Sequence, residues 1–142
     1  MKYVDASAVL RVVFGEVGDT VPLTGGEIVA SSQLIEVETF RAVDRARLVG
    51  ELDDLTTATM RKALSDLLGM IDLVPIDQSI IERARGSFPV PVRSLDAIHV
   101  ATAELLATVV GTEPVEFWTH DERQALAALG RGLNVRGIPA AE

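Results

Sequence analysis

Cysteine is absent from the 142 residues. That excludes disulfide staples, zinc ribbons and thiol catalysis, and it accords with a reducing compartment. Positive charge is scarce: 13 Lys and Arg face 21 Asp and Glu, for a formal net charge of −8. A simple electrostatic sleeve for nucleic acid needs an excess of cations and is excluded. An enzyme that meets RNA through bound cations is not. Also missing are a repeat, a low-complexity tract and a linker. The most apolar stretch, 95–110, carries Asp96, His99 and Glu104, which makes it too short and too polar to span a bilayer. The opening "MKYVDASAVL" lacks the charged region, apolar core and cleavage site of a signal peptide. The expectation is a soluble, cytoplasmic protein.

What is present is ordinary for a globular chain: 48% hydrophobic and 24% charged residues. The length suits one domain, 1–142, which buries roughly 68–70% of its unfolded surface. Short apolar runs, "KYVDA", "EIVAS", "IDLVPI", "VEFWT" and "LNVRGI", read as five strands. Between them the period is helical: "SAVLRVVFGE", 32–47, 51–70 with Gly50 as the break, "DQSIIERARGSF" opening on Asp77, the stretch from Asp96, and "DERQALAALG". "PVPVR" is extended, because two prolines forbid helix there. Alternating strands and helices predict an α/β fold of three αβα layers, with a central, mostly parallel sheet of about five strands.

In such sheets ligands sit outside the carboxyl ends of the strands. Asp5 closes the first strand, Asp121 follows "VEFWT", and Asp96 opens a helix after the Pro-rich loop. Each could be a helix cap. Three on one rim exceed what capping needs, since packed like charges resist ionising. A divalent cation would resolve the repulsion, and carboxylates without cysteine suit Mg2+ or Mn2+ over zinc. A fourth acid comes from the helix at 32–47, where Glu36 and Glu38 are both available. Periodicity does not choose between them, and either could instead pair with Arg41 or Arg45.

Four stretches carry a resemblance: "YVDASAVL", "EVETFRA", "RSLDAIHVATA" and "FWTHDERQA". In this order they resemble the signature blocks of PIN domains, in particular the VapC-type toxins of bacterial toxin–antitoxin pairs. The blocks span residues 3 to 125. The resemblance selects Glu38 over Glu36. It implies a metal-binding and catalytic quartet of Asp5, Glu38, Asp96 and Asp121, with the Ser7 and Thr119 hydroxyls in support. It implies a Mg2+- or Mn2+-dependent endoribonuclease, in which a metal-activated water attacks an RNA phosphodiester in line. The chain departs mildly at "WTHDE", where many members carry a smaller polar residue, so His120 receives no role.

His99 reads as structural. Arg93 reads as a phosphate contact or a surface ion pair. The apolar residues of 32–70, among them Leu34, Val37, Phe40, Leu48, Leu55 and Leu64, suggest a partly exposed face. The resemblance makes its partner a VapB-type antitoxin helix, within a toxin homodimer or a heterotetramer or larger. Such an antitoxin could also bring a basic side chain to the acids and displace the metal. Two other readings compete. One is a PIN-like binding module that has lost activity, although all four acids are present. The other is a flavodoxin-like phosphoacceptor domain, which needs a lysine after a late strand. The only lysines are Lys2 and Lys62.

Overall fold

The computed structural model describes residues 1–138. Five strands form one wholly parallel sheet: β1 (Lys2–Val4), β2 (Val29–Ser32), β3 (Asp72–Val74), β4 (Glu116–Trp118) and β5 (Asn134–Arg136). Their spatial order is β3-β2-β1-β4-β5. This differs from the 2-1-3-4-5 order of flavodoxin-like domains, so the phosphoacceptor reading falls. Six helices lie between the strands: α1 (Ala6–Val13), α2 (Leu34–Leu48), α3 (Asp54–Leu68), α4 (Gln78–Ala84), α5 (Ser94–Val110) and α6 (Glu122–Gly130).

Strand alternation builds two cores. Val4 and Trp118 face one, where Val9, Ile35, Val43, Leu64 and Leu68 come from α1, α2 and α3. Tyr3 and Phe117, their neighbours in sequence, face the other, with Val100, Ala103, Ala127 and Ala128 of α5 and α6. The sheet is thus covered on both sides, as the three-layer expectation required. No helix among the described residues is long and apolar enough to cross a membrane.

Several boundaries move inward for identifiable reasons. Expected to start at Glu51, α3 begins at Asp54, because the Asp53 side chain caps it by accepting from Thr56 N. α4 ends at Ala84, four residues short of Phe88, and Phe88 instead lies under the Arg131 guanidinium, 4.1 Å from its ring centre. Gly50, at φ +80°, turns the chain between α2 and α3, as its place between two helical patterns suggested. The apolar face of 32–70 divides between packing and solvent, as the expectation of a partly exposed face required. Ile35, Leu64 and Leu68 are buried, and Phe40, Leu52, Met60 and Leu67 pack partly buried against them. Val37, Leu48, Val49, Leu55 and Met70 remain exposed.

Candidate active site

The chain runs from β1 to β2 on one side and from β4 to β5 on the other. β1 and β4 are neighbours, so a crevice opens beyond their carboxyl ends. Asp5 stands at the end of β1. It also caps α1, where the Ala8 N–H donates to Oδ1 at 2.9 Å. The Ser7 hydroxyl donates to the same carboxylate at 2.7 Å, and the Thr119 hydroxyl reaches Oδ2 at 2.7 Å. Each hydroxyl is itself fixed from the next turn of chain. His120 N–H donates to Ser7 Oγ at 2.8 Å, and Asp121 N–H donates to Thr119 Oγ1 at 3.0 Å. Each hydroxyl accepts one of these N–H groups and turns its own proton to Asp5; for Thr119 the Asp5 contact is shorter than the 3.1 Å to Gln124 Oε1. Burial pushes the Asp5 carboxyl above its usual value, against the opposing influence of His99 and of these donors.

Gly137 makes this corner possible. A Cβ there would stand 2.6 Å from the Thr119 carbonyl oxygen and 3.1 Å from the His120 ring, and its φ is +91°. Only glycine lets the chain leaving β5 approach so closely.

Asp121 is exposed and caps α6, its side chain accepting from Gln124 N at 2.9 Å. Asp96 is not a cap. The N-cap of α5 is Arg93, which makes no side-chain cap bond, and Asp96 stands in the first helical turn. Asp96 is half-buried. Its carboxyl is raised by burial and then by the charge of Asp121, with a smaller push from Asp5; His99 and the Arg93 N–H oppose the shift. Asp96 therefore feels the charges of both other aspartates across one rim. Among the described residues no Lys or Arg forms an ion pair with any of the three.

Glu38 sits on the inward side of α2, and its side chain is 18% exposed. Its partner is not Arg41 or Arg45. His99 Nε2 lies 2.6 Å from Glu38 Oε2, while Arg41 pairs with Asp44 at 2.9 Å. Glu36 is exposed. His99 is 1% exposed, and its Nδ1 lies 2.7 Å from the Tyr3 hydroxyl. Burial pushes the Tyr3 phenol well above its ordinary range, so the hydroxyl keeps its proton. Sequence reasoning passed over Tyr3. Its signal was strand parity: Tyr3 and Asp5 are two apart, and alternate strand residues share a face.

An open cleft of about 680 Å³ adjoins the acids. Asp96, Asp121, Arg93 and Arg123 line it, with Val90, Pro91 and Leu126 as apolar wall. Among the described residues neither arginine is in a salt bridge. Also among the described residues, no three side chains of His, Cys, Asp or Glu are drawn close enough to enclose one cation. The donor chemistry nonetheless fits a hard divalent ion. The rim offers carboxylate oxygens with uncompensated charge, and both His99 nitrogens are already engaged.

A parallel sheet of this order, with acids beyond the carboxyl ends of β1 and β4, defines a class. The chain belongs to the PIN domain family, whose model matches residues 2–129. It is 35% identical over 94 residues to Ribonuclease VapC46 of Mycobacterium tuberculosis (strain ATCC 25618 / H37Rv), covering 66% of this chain and 68% of that protein. It is 31% identical over 130 residues to Ribonuclease VapC47 of Mycobacterium tuberculosis (strain CDC 1551 / Oshkosh), covering 87% and 86%. The crystal structure of PAE2754 from Pyrobaculum aerophilum shares the fold, with a TM-score of 0.63 at 18% identity over 94% of this chain and 87% of that one.

Proposed function

We propose that this chain is the toxin of a type II toxin–antitoxin pair, an endoribonuclease that hydrolyses RNA phosphodiester bonds in the cytoplasm with Mg2+ or Mn2+. The kinship with VapC ribonucleases supports the activity. One observation carries the site: Asp96 is made harder to ionise by burial and by the charges of Asp121 and Asp5 at the crevice between β1 and β4, and among the described residues no Lys or Arg pairs with any of the three.

In this reading Asp5, Glu38, Asp96 and Asp121 hold the ion. A bound divalent cation lowers the pKa of water and offsets charge that builds on a phosphate under in-line attack. Ser7 and Thr119 hold the Asp5 carboxylate in place. Arg93 and Arg123, on the wall of the cleft, present guanidinium groups suited to bidentate contact with phosphate oxygens. The apolar wall gives unstacked bases of single-stranded RNA a surface to lie on.

The partner in this reading is a VapB-type antitoxin. An antitoxin helix would lay its apolar side on what α2 and α3 leave exposed, Val37, Leu48 and Leu55. The toxin itself would pair as a symmetric homodimer, giving a heterotetramer or larger assembly with the antitoxin.

The test is RNA cleavage by purified protein after chelation. EDTA should abolish it, and added Mg2+ or Mn2+ should restore it. Cleavage that survives exhaustive chelation would falsify the metal-dependent reading.

A further inference from the structure

Away from the three aspartates, a buried polar chain runs from the sheet into α2. Ser32 N–H donates to the Tyr3 hydroxyl at 3.0 Å. That hydroxyl lies 2.7 Å from His99 Nδ1, and His99 Nε2 lies 2.6 Å from Glu38 Oε2. Tyr3 is 0% and His99 1% exposed. We propose that Tyr3 and His99 are positioning residues that hold Glu38 as an oriented ligand for the divalent cation. The proposal rests on the reading of Glu38 as a cation ligand given above.

The direction of the chain follows from its two ends. The Glu38 carboxylate can only accept, so the ring proton belongs on His99 Nε2. A singly protonated ring then has a bare Nδ1 that accepts the Tyr3 phenolic proton, while the Tyr3 oxygen accepts from Ser32 N–H. A doubly protonated ring carries the same Nε2–H, so Glu38 meets a donor in either state. The bond engages Oε2. Among the described residues Oε1 has no hydrogen-bond partner, which leaves it for a cation.

The ring has little room to move. Tyr3 stacks on Phe117 at 5.3 Å between centroids, and His99 meets the Tyr3 ring edge-on at 5.9 Å. A free glutamate loses considerable rotamer entropy when a cation orders it. Glu38 has already been ordered by a core-anchored imidazole, so that loss does not weaken binding. The route also explains the three-residue spacing of Asp96 and His99. One turn of α5 offers the rim an acid directly and reaches a second acid, on α2, through the ring.

The experiment is Mn2+ binding to the purified full chain by isothermal titration calorimetry, with circular dichroism to verify folding. Glu38→Gln should weaken binding. His99→Ala should weaken it roughly 10–100-fold, the usual effect of losing a ligand's supporting partner. Because His99 acts through Glu38, the double variant should bind no more weakly than Glu38→Gln alone. His99→Gln, which retains an N–H toward Glu38, should recover most of the loss. If Glu38→Gln weakens binding and His99→Ala does not, the positioning role is overturned. Additive losses in the double variant overturn it as well. Wild-type affinity in Glu38→Gln overturns instead the ligand role of Glu38, a separate failure. Should His99→Ala not fold, Tyr3→Phe keeps the stacking on Phe117 and should still weaken Mn2+ binding severalfold. Wild-type affinity in folded Tyr3→Phe defeats the proposal.

Discussion

The Thr119 hydroxyl donates to Asp5 Oδ2 at 2.7 Å across the seam between β4 and β1, at a position with 0% exposure. Thr119→Val keeps the shape and removes the donor. It also strips the Asp121 N–H of its acceptor. A hydrogen bond to a charged group contributes about 1.5–3 kcal/mol, and denaturant unfolding should show a loss of that order. Losing a donor to the carboxylate raises the Asp5 pKa further. The acidic limb of the cleavage profile should therefore move to higher pH, and an unmoved limb would count against a working role for Thr119.

Isosteric neutralisation of the acids tests the site directly. Asp5→Asn, Glu38→Gln, Asp96→Asn and Asp121→Asn should each cut RNA cleavage by more than the roughly 10–100-fold typical of an outer partner, with circular dichroism unchanged. Near wild-type turnover in folded Asp96→Asn protein would remove Asp96 from the assignment.

The raised carboxyl of Asp96 makes a stability prediction with a definite sign. An acid whose folded pKa lies above its unfolded value supports the fold at low pH and ceases to do so as pH rises through the folded pKa. In EDTA at neutral pH, Asp96→Asn should therefore melt at a higher temperature than wild type. The gap should close as pH falls toward the ordinary carboxylate range. A variant that melts lower than wild type at neutral pH, without metal, would contradict the charge crowding on this rim.

Arg93 and Arg123 separate phosphate contact from chemistry. Each Ala variant should weaken RNA binding across sequences and reduce the salt dependence of binding by about one phosphate contact. A KM effect with kcat retained is the expected pattern. Unchanged salt dependence in both would place the RNA path elsewhere.

The layers of the fold were legible because each strand is a short apolar run and each helix has its own period. Asp5 and Asp121 stood out at strand ends, and Asp96 at the start of a helix behind a Pro-rich loop. Glu38 did not stand out: α2 is apolar nearly all round, and only the resemblance chose Glu38 over Glu36. What distinguishes Glu38 from Glu36 in the structure is its contact with a residue 61 positions away, His99, which no local pattern could supply. Asp96, expected to open its helix, stands in the first turn for a similar reason. A capping acid and a first-turn acid look alike in sequence, and the Arg93 backbone decides between them. The partly exposed apolar face on 32–70 was legible, but not which of its residues the core would cover, because periodicity registers that a face is apolar without registering its neighbours.

The three residues of β1 and the aspartate after it have a consequence for mutational tolerance. Tyr3 points into one core and wires His99, Val4 points into the other core, and Asp5 must emerge at the rim. Deleting or inserting one residue here would exchange the two faces. It would put an aliphatic side chain where the phenol belongs and carry the aspartate away from its hydroxyls. Substitutions in β1 would be graded in their effect, whereas single-residue insertions and deletions would remove packing and chemistry in one step. In a library of random variants, this strand should tolerate replacement at some positions and tolerate no change of length.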